Sequence, residues 1–201
     1  MPQYFPVLLI HSFFPQPQIT NGHFSQASHP PLGIAYLSAY LKHKGVEVHC
    51  LDLNKDAEAQ VFDWMAKHPV GVIGMSVNAA TFQNAYQLAK TIRLKSLLHR
   101  IVFGGLATPI FYEYLSRGNV DFFVVGDGEE TLFELVAGLS VGKQDFTDIP
   151  GLAFSKEGQL MVTPSRIFCQ SLDELPFPDR DAFDLKRYVS FVSNQAYVTT
   201  S

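Results

Sequence analysis

Two apolar strands that each run into glycine constrain this chain more than anything else in it. Between Ile101 and Glu134 the order is strand, Gly104-Gly105, helix, strand, Gly126-Asp127-Gly128-Glu129-Glu130, helix. In an α/β sheet such turns lie at the carboxyl ends of the strands, where ligands bind. Glycine lets the backbone approach a ligand closely and take positive φ. The pattern predicts a sizeable cofactor at one edge of a parallel sheet.

The rest of the chain repeats the unit. Val7-Leu8-Leu9-Ile10 is a continuous apolar run, as in a central strand buried on both faces. A long loop from His11 to Pro31 comes next, of a length that is usually functional or mobile. Helix one spans Gly33 to Lys44, with Ile34, Leu37 and Leu41 on one face and Gly45 ending it. Val46 to Leu53 reads as strand two. Asn54 is placed to cap helix two, which carries Ala57, Val61 and Met65. Val70 to Ser76 is strand three, and helix three runs from Ala79 to Leu97 with Phe82, Tyr86, Ala89 and Ile92 aligned.

After strand four, Thr108-Pro109 opens a helix whose Phe111, Tyr114 and Leu115 face the sheet. Phe122 to Val125 is strand five. The last helix carries Leu132, Leu135, Val136 and Leu139, with Glu129 and Glu130 favouring its positive end. Five strand–helix units predict a doubly wound, five-stranded parallel sheet, flavodoxin-like or Rossmann-like, of order 2-1-3-4-5. Its switch point lies between strands one and three.

Residues 1–142 form this α/β domain and residues 143–201 a different region. Leu152-Ala153-Phe154 and Leu160-Met161-Val162 flank Glu157-Gly158 as a hairpin. Leu172 to Asp184 reads as an extended acidic linker, and Ala196 to Thr199 as a strand without a successor. That last strand implies a chain cut before its next domain, against the plainer alternative of a C-terminal edge strand.

Composition excludes several classes. Lys and Arg total 15 against 19 Asp and Glu, with no basic cluster, so nucleic acid is not an expected partner. Cys50 and Cys169 are too few for a disulfide framework. Met1 to Ile10 lacks a basic region, and no apolar stretch approaches the ~20 residues of a membrane span. A cytoplasmic setting is expected.

The loops narrow the ligand. His11-Ser12-Phe13-Phe14-Pro15 after strand one is neither a dinucleotide fingerprint, a flavin phosphate loop nor an acidic phospho-acceptor site. Ser76, with Val77-Asn78 after it, serves equally as a ligand donor or a helix cap. Gly104-Gly105 either admits a ligand tail or makes a tight turn. Gly126-Asp127-Gly128-Glu129 either binds ligand amides and hydroxyls or caps the last helix.

Four segments together carry a resemblance. They are Pro30-Pro31-Leu32-Gly33-Ile34-Ala35-Tyr36-Leu37, Gly74-Met75-Ser76, Val102-Phe103-Gly104-Gly105 and Val124-Val125-Gly126-Asp127-Gly128-Glu129-Glu130-Thr131. In these the chain resembles the cobalamin-binding domain at the N-terminus of radical S-adenosylmethionine enzymes. Leu175-Pro176-Phe177-Pro178-Asp179-Arg180 is similar to the segment before the radical barrel, and Tyr197 to Ser201 to that barrel's first strand.

The resemblance implies a corrin over the strand carboxyl ends and a nucleotide tail running toward Gly104 and Gly105. It implies Ser76, Val77, Gly126 and Glu129 near the corrin edge or tail, and Ser12, Pro31, Leu32 and Gly33 on the lower face. No histidine fits the Asp-x-His-x-x-Gly motif: Leu9 stands where the Asp would precede His11, and His23 and His29 lack both partners. Cobalamin is therefore expected base-off, without a histidine from that motif. The implied whole is a methyltransferase with a 4Fe-4S cluster and S-adenosylmethionine on a barrel of the same polypeptide. Its substrate would be a small molecule or lipid, and this chain alone would not turn over. Two rivals keep the fold: a non-cobalamin docking domain, and a flavin or nucleotide enzyme.

Overall fold

The computed structural model describes residues 4–12, 30–54, 56–105, 108–166 and 175–188. The expectations on Cys169, His23, His29 and the terminal strand lie outside the described residues. Strand β1 (Val7–His11) buries Val7, Leu8, Leu9 and Ile10 almost completely, because it lies mid-sheet with cover on both faces. The other elements are α1 (Leu32–His43), β2 (Val48–Asp52), α2 (Ala59–Lys67), β3 (Gly71–Ser76), α3 (Phe82–Lys95) and β4 (His99–Gly104). They continue as a 3-10 helix (Thr108–Arg117), β5 (Phe122–Val124), α4 (Glu129–Ser140), β6 (Leu152–Lys156) and β7 (Gln159–Val162).

The sheet order is β2-β1-β3-β4-β5-β6-β7. The expected 2-1-3-4-5 core is present and parallel throughout. The expected five strands become seven, because the hairpin read as separate pairs antiparallel with β5 through Phe122–Phe154 and Val124–Leu152. Docking the hairpin there covers what would otherwise be an open edge of a three-residue strand. Glu157 and Gly158, at φ +53° and +79°, make its two-residue turn.

Three local readings shift. The segment after β4 winds as a 3-10 helix, which stacks residues three apart on one side. Phe111 and Tyr114 thereby both meet Phe82, at ring-centroid distances of 3.6 and 4.7 Å. Asn54 does not cap α2, which begins at Ala59; its backbone and side-chain nitrogens donate to Asp52 Oδ1 instead. The acidic linker, where described, is docked: Asp179 N–H donates to the Ala35 carbonyl, its carboxylate accepts from Ser38 and Lys42, and Phe183 and Tyr188 are buried.

The two faces have separate cores. Helices α1 and α4, with Phe183 and Tyr188, cover one. Helices α2 and α3 and the 3-10 helix cover the other. Among the described residues, no helix is long and apolar enough to cross a membrane.

Candidate functional site

Side chains alternate across a strand, so β3 and β4 can be read face by face. Ile73, Met75, Ile101 and Phe103 point to the α2–α3 side and are fully packed. The opposite positions at the carboxyl end are Gly74, Ser76, Val102 and Gly104, which are small. Beneath α1 and α4 this leaves a cleft of about 240 Å³ at the carboxyl edge of the sheet. Leu9, Leu37, Val124 and Leu132 wall it, and Gly74, Gly104 and Gly128 keep it open. A Cβ on Gly74 or Gly128 would point at Leu9 or Leu37, at 3.0 and 3.2 Å. Gly105 has φ +134°, and a Cβ there would collide with the Val77 carbonyl oxygen.

Six of the residues singled out from sequence line this cleft: Gly33, Ser76, Gly104, Gly105, Gly126 and Glu129. Four do not. Val77 is buried beside it, its N–H donating to the Gly104 carbonyl. Pro31 and Leu32 lie at the start of α1, outside the walls. Ser12 is buried just beyond β1, and its Oγ has no hydrogen-bond partner among the described residues.

The turn into α3 is secured without Ser76. Asn78 Oδ1 accepts from the Ala80 and Thr81 N–H groups, and Thr81 Oγ1 accepts from the Asn78 N–H. Sequence reading missed the apolar walls; Leu9, Val102 and Leu132 read only as core. The signal that could have found them is their phase with Gly74 and Gly104 on alternating strands.

The cleft is apolar with a polar mouth. Burial pushes the Glu129 carboxyl above the ordinary carboxylate range and nearby Asp127 adds to this, against the N–H groups of the first turn of α4. Arg166 ties that turn down, donating to Thr131 Oγ1 at 2.9 Å and to Glu130 and Glu134 at 2.7 and 2.5 Å. His11 and Ser76 are register partners on β1 and β3, the two strands of the switch point.

The profile of the B12-binding domain matches residues 23–136, more than half of the 201. The chain belongs to the B12-binding domain family. It is 29% identical over 163 residues to an uncharacterized methyltransferase of Pyrococcus horikoshii, covering 79% of this chain and 35% of that protein. It is 27% identical over 175 residues to an anaerobic magnesium-protoporphyrin IX monomethyl ester cyclase of Synechocystis, covering 84% and 35%. The chain thus spans about a third of the length of these relatives.

Among solved structures it shares its fold with OxsB, a cobalamin-dependent S-adenosylmethionine radical enzyme with aqua-cobalamin bound. The TM-score is 0.71 at 18% identity, over 92% of this chain and 25% of that one. It also matches the radical S-adenosylmethionine methyltransferase TsrM of Kitasatospora setae, with cobalamin and a [4Fe-4S] cluster bound. There the TM-score is 0.60 at 21% identity, over 88% and 31%.

The residues of the cleft fit the family's cofactor. A narrow apolar slot with glycines on its floor accepts a flat heteroaromatic base, and an open polar rim accepts amide groups.

Proposed function

We propose that this chain is the cobalamin-binding domain of a radical S-adenosylmethionine enzyme, a methyltransferase in which cobalamin carries the methyl group. The observation that carries this reading is the glycine-floored cleft opening at the switch-point edge of the sheet. When bound, cobalamin supplies a cobalt centre that accepts and releases a methyl group. The protein's own part is to hold and dry that group. Leu9, Val124 and Leu132 exclude water from the nucleotide tail, and Gly104 and Gly105 let it pass close to the backbone. Ser76 and Glu129 face the cofactor from the rim.

Cobalamin would be held base-off with its nucleotide tail in the cleft, since no histidine fits the usual motif. A 4Fe-4S cluster and S-adenosylmethionine belong to a barrel of the same polypeptide, reached through the segment docked on α1. The substrate of the whole enzyme is a small molecule or lipid. A purely docking domain has no use for a floor of glycines, which favours the carrier reading.

Titration with hydroxocobalamin, monitored by visible absorbance, tests this. Saturable binding with a base-off spectrum is expected. Gly104→Val places a branched side chain in the cleft, and its Cβ meets nothing closer than Val124 Cβ at 3.8 Å. Gly104→Val should abolish binding while leaving the fold intact. Equal binding by the variant would place the cofactor elsewhere.

A further inference from the structure

A buried carboxylate outside the cleft holds a histidine at the switch point. Asp52 ends β2 with no exposed surface, yet it is an acid. Burial by itself would raise its carboxyl, but hydrogen bonds from His11, Tyr188 and Asn54 outweigh this and hold it at about 2. His11 Nδ1 lies 3.1 Å from Oδ1, Asn54 contributes its backbone N–H and its amide at 3.0 and 2.9 Å, and the Tyr188 hydroxyl donates to Oδ2 at 2.7 Å. Asp56 closes the group by accepting from the Asp52 N–H and from Arg187. The carboxylate favours the imidazole tautomer with its proton on Nδ1, the nitrogen that Asn54 Nδ2 also approaches at 3.3 Å. The imidazole then carries its lone pair on Nε2.

The direction of that imidazole matters. Along β1, Val7 and Leu9 face the α1–α4 core while Leu8 and Ile10 face the other. His11 is in phase with Leu9, which lines the cleft, and one pleat nearer the ligand edge. Its side chain keeps 20% of its surface accessible, whereas the Asp52 side chain keeps none. A packed histidine needs no ionised, four-donor carboxylate to orient it. That arrangement is how proteins aim an imidazole nitrogen at something else.

We infer that His11 is a cofactor contact at the rim of the cleft, its Nε2 accepting a hydrogen bond from an amide N–H or hydroxyl at the cofactor's periphery, with Asp52 as its positioning residue. This rests on the cobalamin reading and adds a contact that the four motif segments do not contain. It also joins the site to the docked segment, because Tyr188 shares the carboxylate that aims His11.

The test uses the full chain and hydroxocobalamin. His11→Ala should weaken binding about ten-fold, the value of one hydrogen bond, with the base-off spectrum unchanged. Tyr188→Phe removes a bond to the same carboxylate but no ligand contact, so its affinity should stay within about two-fold while its melting temperature falls. Asp52→Asn should weaken binding in the natural background and do nothing further in the His11→Ala background, the coupling of a residue that acts only through another. Thermal melting of each variant confirms that it is folded.

Unchanged affinity in His11→Ala would overturn the inference and leave the carrier reading standing. Equal losses in His11→Ala and Tyr188→Phe would overturn it in favour of a structural network. A cobalt spectrum that changes with His11→Ala would overturn it by making His11 a cobalt ligand. No binding by the unaltered chain would overturn both readings.

Discussion

The two faces of one sheet are packed in opposite ways. On the α2–α3 side, Phe82 meets Phe111, Tyr86, Tyr114 and Phe103, and Phe103 meets Phe123 edge-on at 5.8 Å. On the α1–α4 side the same strands present Gly74, Ser76 and Gly104, and the space stays open. A strand commits alternate residues to opposite faces, so one short sequence, Gly74-Met75-Ser76 or Phe103-Gly104, builds solid core on one side and a binding cleft on the other. The filled face supplies the stability that the open face gives up.

That contrast can be broken at several points. The largest effect is expected from Phe82→Ala on the filled face, which should cost about 3–5 kcal/mol in urea unfolding. A cost below about 1 kcal/mol would mean that the aromatic cluster is not the structural core. Next is Gly105→Ala, where positive φ and the Val77 carbonyl both oppose a side chain. It should lose roughly 2–3 kcal/mol or more by thermal melting, which makes Gly105 a poor probe of ligand binding and Gly104 a good one.

Acid unfolding sharpens the comparison at the ligand edge. The folded Asp52 carboxyl sits at about 2 against an ordinary 3.8, so its contribution is complete above pH 4 and is lost as pH falls toward 2. That loss is on the order of 2 kcal/mol, and Asp52→Asn should flatten this part of the stability–pH curve. At the opposite edge, burial lowers His99, whose ring nitrogens contact the Ser96 hydroxyl and the His68 carbonyl. A lowered histidine favours the folded state above its unfolded pKa, so stability should decline as pH falls below 6.5; burial lowers His49 as well, so His99→Gln should reduce that slope and not abolish it. The smallest effect is Gly104→Val on the open face, expected within about 1 kcal/mol of the natural chain while cobalamin binding is lost. A large destabilisation there would show that the cleft is already full.

The winding was determined by sequence. Five apolar runs, each leading into a helical period, leave one economical solution, and β2-β1-β3-β4-β5 is the order found. The glycines were legible too: Gly105 and Gly126 take positive φ at strand ends, and Gly33 and Gly104 line the cleft without a side chain to fill it. Pairing and depth were not legible. The hairpin at 152–162 reads the same whether it stands alone or extends the sheet, because its pattern fixes its own turn and not its neighbour.

The apolar walls read as core because a cleft wall and a core wall share one composition. Asp52 lay within the stretch read as strand two and Tyr188 beyond the stretch read as a linker, and nothing in the sequence singled out either. Only the tertiary structure brings them within 2.7 Å, across 136 residues of chain, because hydrogen bonding of buried groups depends on position in space and leaves no local pattern in sequence.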